Sequence, residues 1–236
     1  NARVATHFTI GDTMLFEIPK LEIKTLLSDY FLTDSMQISI FGEDKIEIEN
    51  FRIKDYKQEE FLLSVNGAIS TSDTNNFEIK VNQFNLQQLN RIFNLTDSIN
   101  GLLESEVSIT GTAQNPSLIG SVGIENPQFG KYSLSSLFTK FNYTDQNGFA
   151  ELTTPDIGNS FYASVNAPFE AYIDSLKFFY KTPESFNANL VIDSLEVSQF
   201  TNRLIYSDSI SGIIDGELKA QGDFTNPQFF GQFDLR

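Results

Sequence analysis

Asp97-Ser98-Ile99-Asn100-Gly101 returns as Asp208-Ser209-Ile210-Ser211-Gly212, and the correspondence continues without a gap at an offset of 111 residues. In that register Glu106 falls on Glu217, Gly111 on Gly222, Asn115-Pro116 on Asn226-Pro227, and Gly120 on Gly231. Nine identities over twenty-four positions, all but one of them polar residues, turn formers or residues demanded by backbone shape, mark a repeated scaffold.

The repeat extends backwards. Leu86, Leu89 and Phe93 map onto Val197, Phe200 and Leu204, and both triplets have the i, i+3, i+7 spacing of an amphipathic helix. Each unit, approximately 77–125 and 188–236, therefore reads as a short helix (near 86–94 and 197–205), a turn, a strand, a second turn at Asn-Pro, and another strand. The second copy stops at Arg236, in mid-strand by the register of the first. The expectation is that residues 1–236 are a piece of a longer, elongated repeat protein in which neighbours bury each other's apolar faces.

Between these units nearly every segment alternates with period two. Val4/Phe8/Ile10, Ile38/Ile40, Ile46/Ile48, Leu63/Val65/Ile69 and Phe77/Ile79/Val81 read as strands with one apolar face. The step from Ile48 to Phe51 slips by one residue at Glu49-Asn50, as a bulge would. Asn147-Gly148, between Phe141/Tyr143 and Phe149/Leu152, predicts a two-residue hairpin turn.

In the repeat itself Leu103, Val107 and Ile109 oppose Glu104, Glu106 and Ser108, and Ile214, Leu218 and Ala220 oppose Asp215, Glu217 and Lys219. Leu118, Val122 and Ile124 correspond to Phe229, Phe233 and Leu235. Two short helices cannot cover some fifteen strands. The sheet either closes on its own side chains or curls into a trough whose apolar lining is left for a ligand.

A net charge of −15, without a Lys/Arg cluster, excludes a phosphate backbone as partner. With no cysteine, disulfides, thiol catalysis and Cys-ligated metals are excluded. No apolar run reaches the ~18 residues of a membrane-spanning helix. His7 is the sole histidine and sits in an alternating strand, so a triad or a multi-histidine metal site has nothing to build on. The pairs Glu104/Glu106 and Asp215/Glu217 share a strand face at about 6.5 to 7 Å, a spacing compatible with an inverting glycosidase. Both copies carry the pair opposite the apolar residues, however, which is how a solvated surface repeats. No catalytic residue, cofactor or metal is expected.

The pattern Gly101-x-Leu-x-x-x-Val-x-Ile-x-Gly111, then Asn115-Pro116-x-Leu118-x-Gly120, and its return from Gly212 to Gly231 resembles TamB-like members of the AsmA-like superfamily. The segment Ile46 to Ile69, with its I-x-I-x-N-x-x-I-x-D pattern, adds to the likeness. It covers most of 38–236, while 1–37 and 130–185 fit only by alternation. The Phe-, Asn- and Ser-rich usage resembles the Bacteroidetes side of that family. The resemblance implies an all-β, elongated, curled repeat sheet (a β-taco) in the bacterial periplasm, anchored at the inner membrane outside this stretch. It implies an apolar groove carrying phospholipid acyl chains between the two membranes, with no enzyme activity. The groove would be lined by Leu103, Val107, Ile109, Leu118, Val122, Ile124, Ile214, Leu218, Phe229, Phe233 and Leu235. Gly101, Gly111, Asn115, Pro116, Gly120, Gly212, Gly222, Asn226, Pro227 and Gly231 would shape the repeat. An alternative that it also implies is an assembly factor for outer-membrane β-barrels, pairing an edge strand with a BamA-like outer-membrane partner.

Overall fold

The structure is a computed structural model that describes residues 2–11, 13–24, 29–56, 61–93, 99–130, 132–154, 160–196 and 212–236. The protein is nearly all β. One sixteen-stranded antiparallel sheet contains every described strand except a small hairpin.

The sheet begins with β1 (Ala2–Ile10) and β2 (Met14–Lys24). Next come β3 (Asp29–Leu32) and β4 (Met36–Phe41), which lie end to end, both bridging β2 to β5 (Lys45–Asp55). β6 (Phe61–Ser70) and β7 (Asn75–Asn85) lead to the helix α1 (Gln87–Phe93). β8 (Ile99–Gly111) and β9 (Pro116–Phe129) form the longest hairpin, with the two-residue β10 (Tyr132–Ser133) folded back on β9. β11 (Ser136–Thr144), β12 (Asn147–Thr154) and β13 (Ser160–Pro168) follow. The hairpin β14 (Ala171–Asp174) and β15 (Lys177–Tyr180) is a separate two-stranded sheet. The main sheet resumes with β16 (Phe186–Glu196), β17 (Ile213–Gly222) and β18 (Gln228–Leu235).

Fourteen of these strands lie side by side in chain order, β1 to β18, and β1 does not pair with β18. The sheet is thus an open meander, not a barrel; at about 4.8 Å per strand it extends roughly 60 Å across the file. Every described strand neighbour in it is antiparallel, so short turns suffice for the connections and cross-strand partners share a face.

That rule makes the apolar residues continuous. One row runs Ile79, Val107, Gly120, Phe141, Ala150, Val165, Ala188, Ala220, Phe229 across β7 to β18. Another runs Ile53, Leu63, Val81, Ser105, Val122, Thr139, Leu152, Ala163, Leu190, Leu218, Gly231. A register slip anywhere would exchange the two faces, and the bulges occur where the chain absorbs one residue without doing so. The expected slip between Ile48 and Phe51 is present, with Asn50 at φ 59°.

The repeat is visible as geometry. Gly111 and Gly222 end β8 and β17 with φ of 81° and 109°, a left-handed conformation that a side chain resists. In the following turn the Asn115 amide donates to the Thr112 hydroxyl at 3.2 Å, and the Asn226 amide donates to the Asp223 carboxylate at 2.6 Å. A Cβ at Gly120 would meet the Glu106 carbonyl oxygen at 3.0 Å, and one at Gly231 the Glu217 carbonyl oxygen at 2.4 Å, so both are close backbone approaches. The copies even share a bulge that no identity announces, at Gln83 (φ 45°) and Ser194 (φ 57°).

The hairpin turn is not Asn147-Gly148 but Asp145-Gln146, both in the left-handed region, with Thr144 paired to Asn147. Gly148 serves another purpose: the Phe169 ring lies against it, where a Cβ would come within 2.4 Å. The first helix is present as α1, whereas 197–205 lies outside the described residues.

Candidate functional site: an apolar trough over the second half of the sheet

The two halves of the apolar face are treated differently. In the first, Tyr30, Leu32, Met36, Ile53 and Leu62 are buried together, with Ile18, Leu21, Ile23, Ile38, Phe51, Leu63 and Phe84 packed around them. Branched and aromatic side chains from β2 to β7 converge there and fill the space. α1 is tied to this cluster by the Gln88 amide, which bonds to the Tyr30 hydroxyl, and Leu86, just before the helix, is buried. Asn90 holds the far end, donating to the Ile99 carbonyl at 2.7 Å and accepting its amide at 2.8 Å.

In the second half the face is open. A concavity of about 460 Å³ lies over β11, β12, β13, β16 and β17. Its lining side chains on this face are Thr139, Ala150, Leu152, Ala163, Val165, Ala188, Leu190, Leu218 and Ala220. Only Thr139 carries a polar atom, and none is ionisable. Alanines make the floor low, so the backbone of Glu151, Ser164 and Asn189, whose registers place their side chains on the opposite face, also borders the space. Val165 remains 37% exposed.

The opposite face is charged. Lys80 bridges Glu78 at 2.9 Å and Glu106 at 3.1 Å, and those carboxylates, Glu78 first, hold its ammonium above the ordinary lysine value. Asp215 bonds to the Arg236 guanidinium and accepts the Ser194 amide at 2.9 Å; the arginine, then the amide, keeps its carboxyl below the usual carboxylate range. Glu106 and Asp215 thus have structural partners in each copy. A second concavity, over Lys80, Glu104, Glu106, Ser121 and Phe138, lies on this charged face, as a twisted, saddle-shaped sheet permits. His7 is exposed, 3.8 Å from Glu17.

Of the eleven predicted groove residues, the register places all on the apolar face. It does not gather them at one site. Leu103, Val107, Ile109, Leu118, Val122 and Ile124 lie on β8 and β9, and Ile214, Leu218, Phe229, Phe233 and Leu235 on β17 and β18, with four strands between. Leu218 alone borders the trough. The trough is built mainly by β11, β12 and β13, between the repeat copies, and by β16, the first strand of the second copy; their signal in the sequence was small residues, Ala150, Ala163, Ala188, at inward positions. Phe229, Phe233 and Leu235 are more than half exposed on β18.

Fold and site define an all-β protein: an open antiparallel meander with one charged face and one apolar face, the latter closed in its first half and hollow in its second. No family model, curated protein or solved structure matches the chain. Among the described residues no helix is long and apolar enough to cross a membrane, and no group of three or more His, Cys, Asp or Glu could hold a metal ion.

Proposed function

We propose that this protein is a section of a lipid-transfer conduit, in which the apolar face shields acyl chains while the charged face stays in water. The observation that carries the reading is the trough: an open concavity, continuous by register with an apolar row across the sheet, and without an ionisable side chain on its own face. Each methylene group withdrawn from water there contributes about 0.8 kcal/mol, and the gain does not depend on where along the chain it is made. A ligand held that way can move along the row, since no site binds one part of it specifically. The chemistry asks for no catalytic group and no cofactor. The periplasmic setting and the exchange of phospholipid between two membranes follow from the family likeness of the repeat motif.

The test is extraction of the purified protein followed by mass spectrometry. Phospholipid should be recovered from the wild type and lost from Leu190→Asp, which sets a carboxylate in the trough. A wild-type extract without lipid, with the trough accessible, would sink the proposal.

A further inference from the structure

The hairpin β14–β15 is the one described element that lies over the apolar face of the second half, and its attachment is narrow. Tyr143 belongs to the apolar face, because it pairs with Leu118 and Gly148, and it is only 3% exposed. Its cover is the segment after β13. The Phe169 ring packs on the Tyr143 ring at 4.7 Å between centroids and against Gly148. The Tyr143 hydroxyl accepts the Ala171 amide at 2.8 Å and donates to the Phe169 carbonyl at 3.3 Å. Two more bonds, from the Phe169 amide to the Gln146 carbonyl at 2.9 Å and from the Ile173 amide to the Ala113 carbonyl at 2.7 Å, secure the segment, with Ala171 and Ile173 buried beneath it. Its outer side is left exposed, Tyr172 stacked on Phe179.

The position of this strap is informative. The row Leu118, Tyr143, Gly148, Ala167 is covered, and Tyr143 and Ala167 in it are buried. The next row, Gly120, Phe141, Ala150, Val165, reaches the trough at Ala150 and Val165. The strap thus covers the row next to the trough on the side of the β11–β12 turn. The strands themselves continue beneath it.

We infer that the segment 169–181 is the retaining wall of the trough and that Tyr143 is the positioning residue that latches it. The inference rests on the proposed lipid-carrying role and adds to it a residue that governs how long a chain is held. A phenol that both accepts and donates makes two of the strap's four attachments, so its loss loosens the strap without removing any side chain from the trough. Gly148 offers a second, independent handle. Its φ is not in the left-handed region, so alanine fits the backbone, but the added methyl collides with Phe169.

The experiment compares wild type, Tyr143→Phe and Gly148→Ala by amide hydrogen exchange and by the dissociation rate of a fluorescent fatty acid, cis-parinaric acid. Both variants should expose the Ala171 and Ile173 amides while those of β12 and β13 stay protected. Release should be at least roughly three- to ten-fold faster, the change equivalent to the net contribution of a single hydrogen bond. Should Tyr143→Phe fail to fold, Gly148→Ala carries the comparison. Unchanged exchange at Ala171 and Ile173 overturns the latch. Faster exchange with an unchanged release rate overturns the wall. A wild type that binds no probe overturns the lipid-carrying reading itself and this inference with it.

Discussion

The first half of the sheet and the second obey the same alternation and end in opposite states. From β2 to β7 the inward positions hold Ile, Leu, Phe, Met and Tyr, and the strands bend until those side chains meet. Over the trough, from β12 to β17, the inward positions alternate Ala with Leu and Val, and the same face remains open. Period-two patterning decides which face is apolar; side-chain volume decides whether that face is filled. The covers differ in kind as well. α1 is tied to the packed cluster through Gln88 and Tyr30, whereas the strap lies beside an open space and is held by four hydrogen bonds.

The sharpest way to break the comparison is a carboxylate in each half. Ile53→Asp places an unpaired charge in the packed cluster and should cost about 3–5 kcal/mol, enough to unfold the chain in a denaturant titration. If Ile53→Asp melts with the wild type, the first half is not a core.

Next in size are the repeat glycines. Valine at Gly111 should destabilise by roughly 1–3 kcal/mol, because it meets both an unfavourable φ and the Asn115 carbonyl oxygen, 2.5 Å from a Cβ. Valine at Gly222 faces the same conformational strain but has its nearest neighbour, the Asn226 carbonyl oxygen, at 3.7 Å. It should cost less. Equal urea midpoints for the two variants would show that the clash contributes nothing.

Leu190→Asp in the trough should cost only about 1 kcal/mol, since its charge can reach water in an open concavity. It should lose bound lipid, while Ser164→Asp, whose side chain lies on the opposite face of β13, keeps it. Unfolding of Leu190→Asp would place the trough with the packed half and remove the contrast.

The smallest effect separates the two repeat turns. The Asp223 carboxyl is held below the usual range by the Thr225 hydroxyl first and the Asn226 amide next. A lowered folded value means that its stabilisation is complete above the unfolded value of about 3.9 and is lost as the pH falls through the folded one. Thr112 performs the same task without a charge. In an NMR titration the Asn226 amide should shift in acid and the Asn115 amide should not.

Much of the fold was legible. The matched Gly101 to Gly120 and Gly212 to Gly231 stretches located both long hairpins, and the alternation assigned the faces of β8, β9, β17 and β18. The turn before β12 was misplaced by two residues because Asn-Gly, a strong turn former, lost to packing: Gly148 lies under Phe169, and Asp145-Gln146 took the left-handed positions instead. The site was less legible, since ten of the eleven expected groove residues lie on the correct face but outside the trough.

By itself, then, the sequence determined the strands, their faces and the repeated turns, because these follow from local backbone preference and from a period that survives antiparallel pairing. Where the apolar face closes and where it stays open was decided only in three dimensions. That outcome depends on the summed volume of side chains from strands far apart in the chain, and on a strap whose anchoring partners, Ala113 and Tyr143, lie 60 and 28 residues from Ile173 and Ala171.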